Sequence, residues 1–215
     1  MINSGKYKIY TNLNLDYQKK MEEELLNNIK DEKLEMASVI IDPNTGKVLA
    51  LSGGRNYKKS EYNRALSAKR QVGSTIKPLL YYSALENGFT PSSTFLSERT
   101  TFNIGNTTYS PKNASNIYAN KNISMLTALS YSDNIYAVKT HLFLGVDTLI
   151  NTAKKCGIKE KLKNVVSLAL GTSELNMLDF ANAYTTFASL GYKKDLYFIE
   201  KILDKEGNVI YSHEP

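Results

Sequence analysis

Between residues 16 and 29 the apolar side chains Tyr17, Met21, Leu25 and Ile29 recur every four positions among charged neighbours, the spacing of one face of an amphipathic helix. The period then changes. "MASVIIDPNTGKVLALSGG" carries two aliphatic runs around Pro43-Asn44-Thr45-Gly46, which predicts a β-hairpin. A polar stretch follows, and from Ser74 the pattern is helical again until about Asn87, where Gly88 supplies a stop signal. Residues 97–122, rich in Asn, Thr and Ser with no clear period, read as a long ordered loop of the kind that borders a site. Helical spacing resumes over residues 124–130, 135–144, 147–155 and 178–189. The tail "LYFIEKILDKEGNVIYSHEP" predicts a second hairpin turning at Glu206-Gly207-Asn208. Strands toward both ends with helices between them point to an α+β fold rather than alternating βαβ units. No repeat, low-complexity tract or linker divides the sequence.

Composition narrows the picture only a little. With 215 residues, 42% of them hydrophobic and 22% charged, the chain has the means to bury a core as one large domain or two small ones. No apolar run approaches the roughly 18 residues of a membrane span, and "MINSGKYKIYTNLNLD" lacks the apolar block of a secretory signal. An extracytoplasmic protein would then need its targeting segment upstream. The net charge of +6 is spread along the chain, which favours solubility over a nucleic-acid footprint. One cysteine, Cys156, cannot form an internal disulfide and reads as a small buried residue. Two distant histidines and one cysteine give no metal-ligand spacing, so a zinc site is not expected.

The chemistry concentrates in "RQVGSTIKPLLYY" and "LSYSDNIYAV". Ser74 and Lys77 stand three apart, so on a helix they share a face and their side chains can meet. At a helix start, unsatisfied N–H groups and the positive end of the dipole surround the serine hydroxyl. That setting suits an oxyanion and helps a neighbouring lysine give up its proton. Gly73 leaves the backbone free to bend and lets a substrate approach, and Pro78 fits only near a helix start. A helix cap followed by a solvated lysine would explain this pair equally well on its own. Ser132-Asp133-Asn134 shifts that balance. It lies on a tight connection between two helical runs, where Ser132 could relay a proton and the Asn134 amide could both donate and accept. The competing reading is a polar turn in which Ser132 or Asp133 caps the next helix. Each motif occurs once in the chain.

Ser-x-x-Lys followed by Ser-Asp-Asn belongs to the signature of penicillin-binding proteins and serine β-lactamases. The flanks are more specific. "RQVGSTIKP", "YSPKNASNIY", "LALGTSELNMLDFANAYTTFASLG" and the opening "KIYTNLNLDYQKKME" together resemble the transpeptidase domain of class A, bifunctional penicillin-binding proteins over nearly the whole chain. The resemblance implies the penicillin-binding protein/serine β-lactamase-like transpeptidase fold, an antiparallel sheet flanked by helices. It implies Ser74 as the nucleophile on D-Ala–D-Ala stem peptides of peptidoglycan, Lys77 as its base, and Ser132 and Asn134 in proton transfer and orientation. Gly73, Asp133 and Thr172 would contact substrate. β-Lactams would acylate the same serine, and no metal or organic cofactor would take part. It also implies a membrane-anchored, extracytoplasmic parent with a transglycosylase domain, and no nucleic-acid partner.

One departure is large. The family's third motif, Lys-Thr/Ser-Gly on a strand, does not occur in these residues: Lys139-Thr140 is followed by His141 in a helical pattern, and "NTGK" lies in a hairpin turn. The expectation is therefore that residues 1–215 are the N-terminal part of one transpeptidase domain, with the C-terminal strands and helix missing and a C-terminal remainder as a possible partner. Two other readings stay open. A serine β-lactamase-like hydrolase would use a glutamate such as Glu174 to activate water for deacylation. A non-catalytic fragment would keep the fold alone.

Overall fold

The computed structural model describes residues 6–214. The first five residues of the segment read above as lacking a signal, and Pro215, lie outside that range. In chain order the elements are β1 (Lys8–Thr11), α1 (Leu15–Asn28), β2 (Ser38–Ile41), β3 (Val48–Ser52), α2 (Arg64–Ser67) and β4 (Lys69–Gln71). A 3-10 turn, Gly73–Ile76, runs into α3 (Lys77–Glu86), followed by β5 (Thr94–Ser97), β6 (Phe102–Ile104), β7 (Thr107–Tyr109) and β8 (Lys121–Ser124). Then come α4 (Met125–Ser130), α5 (Asn134–Leu144), α6 (Val146–Lys155), β9 (Glu174–Asn176), α7 (Met177–Ala188), β10 (Ile199–Leu203) and β11 (Val209–Ser212). The content is α+β, as the sequence pattern indicates.

The chain forms two compact units. One comprises residues up to 69, 156–158 and from 176 on. Here α1 is capped by Asn14, whose side-chain oxygen accepts from the Asp16 and Tyr17 N–H groups at 3.0 Å each. Its buried Met21 faces inward, and the Gln18 amide takes both backbone groups of Leu51, so that α1 is fastened to β3 by side-chain mimicry of a strand. The hairpin β2–β3 pairs antiparallel, and its turn is set by Asp42, which accepts from Asn44 N–H at 2.9 Å. β1, β10 and β11 make a three-stranded antiparallel sheet, with the second turn held by Asp204 and Asn208. Arg55 donates to the carbonyls of Ile29, Asp31 and Leu34 and so ties the segment after α1 to the end of β3. Cys156, the single cysteine of the sequence, is buried.

The other unit comprises residues 70–155 and 159–175. Its centre is apolar: Ile76, Leu79, Leu80 and Ala84 of the α3 region and Ile135, Tyr136, Ala137 and Val138 of α5 are all fully buried. Burial of this many side chains, each contributing about 1.5–3 kcal/mol, is what holds α3 against α5. α6 presents Leu149, Ile150 and Ala153 to the same core, and Ser83 donates to Thr152 at 2.8 Å inside it. Phe95 on β5 packs edge-on against Tyr136, with ring centroids 5.2 Å apart.

Two expectations require correction in this unit. Residues 97–122, read as one long ordered loop, instead contain the β6–β7 hairpin, and β8 returns to pair antiparallel with β5. Gly105-Asn106 between two short apolar-alternating runs is the turn signal that the high Asn and Thr content hid. Secondly, Ser74 does not cap a helix. It sits inside the 3-10 turn, and α3 proper begins at Lys77 with Pro78 in its first turn.

Candidate active site

The tight turn that carries Ser74 is built by two glycines. Gly73 adopts φ +57°, a left-handed conformation that costs an L-residue roughly 1–2 kcal/mol. Its N–H donates to the carbonyl of Gly171 at 3.1 Å. Gly171 is itself left-handed, at φ +70°, and a Cβ there would lie 2.0 Å from the Gly73 oxygen. The close approach requires a glycine at 171, whereas at Gly73 it is the positive φ that favours glycine. The result is an exposed Ser74 held on a rigid turn.

One turn on, Lys77 is buried, with 1% of its surface exposed. Its Nζ donates to the Ser132 carbonyl at 2.6 Å, to Ser132 Oγ at 3.0 Å and to Asn134 Oδ1 at 2.6 Å. Burial lowers the Lys77 pKa from the ordinary lysine value to about 8, against the opposing pull of the Asp133 carboxylate. A lysine in that range can take up a proton near neutral pH, which an exposed lysine cannot. No hydrogen bond joins Nζ to Ser74 Oγ among the described residues. Such catalytic contacts commonly tighten only when substrate binds.

Ser132 holds φ +54°, an uncommon conformation for a non-glycine residue, and this aims its carbonyl and hydroxyl together at Lys77. Asp133 was expected to contact substrate; the structure turns it inward instead. Its Oδ1 accepts from Tyr136 N–H at 2.8 Å, capping α5, while Oδ2 accepts from Ser97 Oγ at 2.5 Å and from Asn113 Nδ2 at 2.7 Å. With 6% exposure and both oxygens occupied, it anchors the motif rather than reaching a ligand. Asp133 thus caps α5, while its two neighbours are the residues that face Lys77. Thr172 is half-buried and shares a hydrogen bond of 3.0 Å with Ser167, just after the glycine that abuts Gly73.

Sequence reasoning missed Ser97, Lys112, Asn113 and Gly171. Asn113 and Lys112 fall within "YSPKNASNIY", but nothing in spacing connects them to residues about twenty positions later. Lys139 and Thr140 lie on α5, where Lys139 Nζ donates to Leu96 O and Thr140 Oγ1 to Tyr136 O. They are helix residues and form no strand motif. Glu174 is exposed on β9.

Residues 36–215 match the family described as penicillin binding protein transpeptidase domain. Penicillin-binding protein 2D of Bacillus subtilis is 46% identical over 208 residues, which cover 95% of this chain and 30% of that protein. The crystal structure of penicillin-binding protein 1A from Haemophilus influenzae is similar with a TM-score of 0.77 at 30% identity, covering 83% of this chain and 27% of that one. At 21% identity, the Mycobacterium tuberculosis protein PonA1, solved in complex with penicillin V, shares the fold with a TM-score of 0.85 over 98% of this chain and 59% of its own. The chain therefore spans less than a third of the length of penicillin-binding protein 2D.

Proposed function

The chain belongs to the penicillin-binding protein transpeptidase family, and from that premise we propose that it catalyses D,D-transpeptidation through an acyl-enzyme on Ser74. The observation that carries this reading is the buried Lys77, one turn after an exposed Ser74, with its Nζ on Ser132 Oγ and Asn134 Oδ1. Ser74 Oγ attacks the carbonyl of the penultimate D-Ala of a peptidoglycan stem peptide while neutral Lys77 accepts the hydroxyl proton. The C–N bond to the terminal D-Ala breaks, and that amine leaves with a proton returned from Lys77 by way of Ser132. An amine of a neighbouring stem then displaces Ser74 from the ester and forms the cross-link. Asn134 holds Lys77 through Oδ1. Its Nδ2, which reaches Lys112 O at 2.7 Å, has a second hydrogen for a substrate amide.

β-Lactams enter the same scheme as acylating mimics of D-Ala–D-Ala, in keeping with the penicillin V complex of PonA1. The setting of this chemistry is extracytoplasmic, where stem peptides are found, in a protein that also carries a membrane anchor and a transglycosylase domain. Among the described residues no helix is long and apolar enough to cross a membrane.

Incubation with a fluorescent penicillin followed by mass spectrometry tests the reading. The expected result is a long-lived adduct on the tryptic peptide containing Ser74, absent in Ser74→Ala. Absence of any adduct in the unsubstituted protein would overturn it, and rapid release of the hydrolysed drug would replace it with a β-lactamase.

A further inference from the structure

Lys77 is held by Asn134, and Asn134 is held in turn by a short segment that has no direct contact with the lysine. Asn113 Oδ1 accepts from the Asn134 backbone N–H at 2.7 Å, and the Lys112 carbonyl accepts from Asn134 Nδ2 at 2.7 Å. Both the main chain and the side chain of Asn134 are therefore gripped by residues 112–113. The same Asn113 amide uses its other end on Asp133 Oδ2, so one side chain spans two consecutive residues of the motif. The preceding Pro111 is buried, and Ser115 and Asn116 have φ of +53° and +55°, which bends the segment back on itself. A primary amide is the one uncharged side chain of this length that offers an acceptor to Asn134 and a donor to Asp133 at once.

We infer that Asn113 is a positioning residue: it fixes Asn134 so that Oδ1 stays 2.6 Å from Lys77 Nζ, and so sets the lysine's orientation and basicity from outside its contact shell. Its place in catalysis rests on the transpeptidase reading; its action on Lys77 does not. The charged group whose field reaches Lys77 is Asp133. Tyr81 and Tyr136 remain neutral over the working range because burial raises the pKa of both.

The test follows Lys77 itself, by NMR titration of 13Cε-lysine-labelled protein, in the unsubstituted chain, Asn113→Ala, Asn134→Ala and the double variant. Loss of the clamp weakens the hydrogen bond that Oδ1 accepts from the ammonium form, so Asn113→Ala is expected to lower the Lys77 midpoint by about half to one pH unit. In the Asn134→Ala background the same substitution is expected to move it by less than a third as much, since the intermediary has gone. An unchanged or raised midpoint in Asn113→Ala, or equal shifts in both backgrounds, would overturn the inference. Asn113→Ser, which disturbs the segment less, serves if the alanine variant does not fold, with the same outcomes. Fluorescent-penicillin acylation in the same proteins is a separate arm and is expected to slow by about tenfold in Asn113→Ala. An unsubstituted protein that takes no penicillin yet shows the coupled Lys77 shift would remove the transpeptidase reading and leave the positioning intact.

Discussion

At the scale of single residues, the properties of Lys77 follow from where its ammonium is placed. It has left water for a buried site, and three oxygens at 2.6–3.0 Å replace only part of its hydration. Desolvation therefore outweighs the Asp133 carboxylate and brings the pKa down to about 8. The base form is the neutral amine, so acylation of Ser74 is expected to rise with pH along a limb whose midpoint lies near 8, measured as the second-order rate with a penicillin whose own hydrolysis is subtracted. A limb centred below pH 6 would assign the proton transfer to another group. Stability moves in the same direction. Between about 8 and the ordinary lysine value of 10.5 the unfolded chain holds a proton that the folded protein lacks, so the folded state gains as pH rises through that window. The serine, the lysine and the Ser-Asp-Asn triplet were legible because each motif is local and its chemistry depends on spacings of two or three residues. Asn113 and Ser97 were not, because their partner Asp133 is 20 and 36 positions away and only the folded chain brings them to 2.7 and 2.5 Å.

The reach of sequence at the level of elements follows the same division between local and distant causes. α1, α5 and α7 could be read to within a residue or two because their apolar residues recur at helical spacing, and in the structure Asn14, Asp133 and Asn176 cap them. Both hairpins around Gly46 and Gly207 were legible from their turns. The strand β8 was not, since its partners in β5 are distant in sequence, as Thr94 with Ser124 and Ser97 with Lys121. The nucleophile turn is the most consequential case. A sequence reader sees one glycine before Ser74, whereas its conformation depends equally on Gly171, about a hundred positions later. The two glycines are expected to respond differently to a methyl group. At Gly73 an added Cβ meets nothing within 4 Å, so Gly73→Ala should cost only the left-handed backbone strain, about 1–2 kcal/mol. Gly171→Ala meets that strain and a backbone oxygen at 2.0 Å, so the two segments must part. Thermal melts and penicillin labelling of both variants provide the check. Gly171→Ala should melt lower than Gly73→Ala and lose most labelling, and equal behaviour would mean that the contact does not brace the serine.

The site considered as part of a larger molecule has a third requirement. In the proposed function Ser74 and Lys77 would supply attack and proton transfer, and Ser132 and Asn134 relay and orientation, yet none of them presents a cation and backbone donors to a substrate carboxylate and oxyanion. In relatives with this signature that task falls to a Lys-Thr/Ser-Gly strand, and no such triplet occurs in these 215 residues, where Lys139-Thr140 is committed to α5. On the proposed function, residues 70–155 and 159–175 gather the groups for proton transfer, and a Lys-Thr/Ser-Gly strand would supply the anion-binding half. It follows that a longer chain continuing into such a strand should be acylated faster than the 215-residue chain, by about a hundredfold if the strand supplies one oxyanion donor's worth of stabilisation. Replacing the lysine of that triplet in the longer chain should return the rate most of the way toward that of the shorter one. The measurement is the second-order acylation rate of both chains with the same fluorescent penicillin, with Ser74→Ala versions setting the background. Equal rates would mean that the residues gathered around Lys77 suffice for acylation by themselves, and the division of labour drawn here between the two halves of the site would fall.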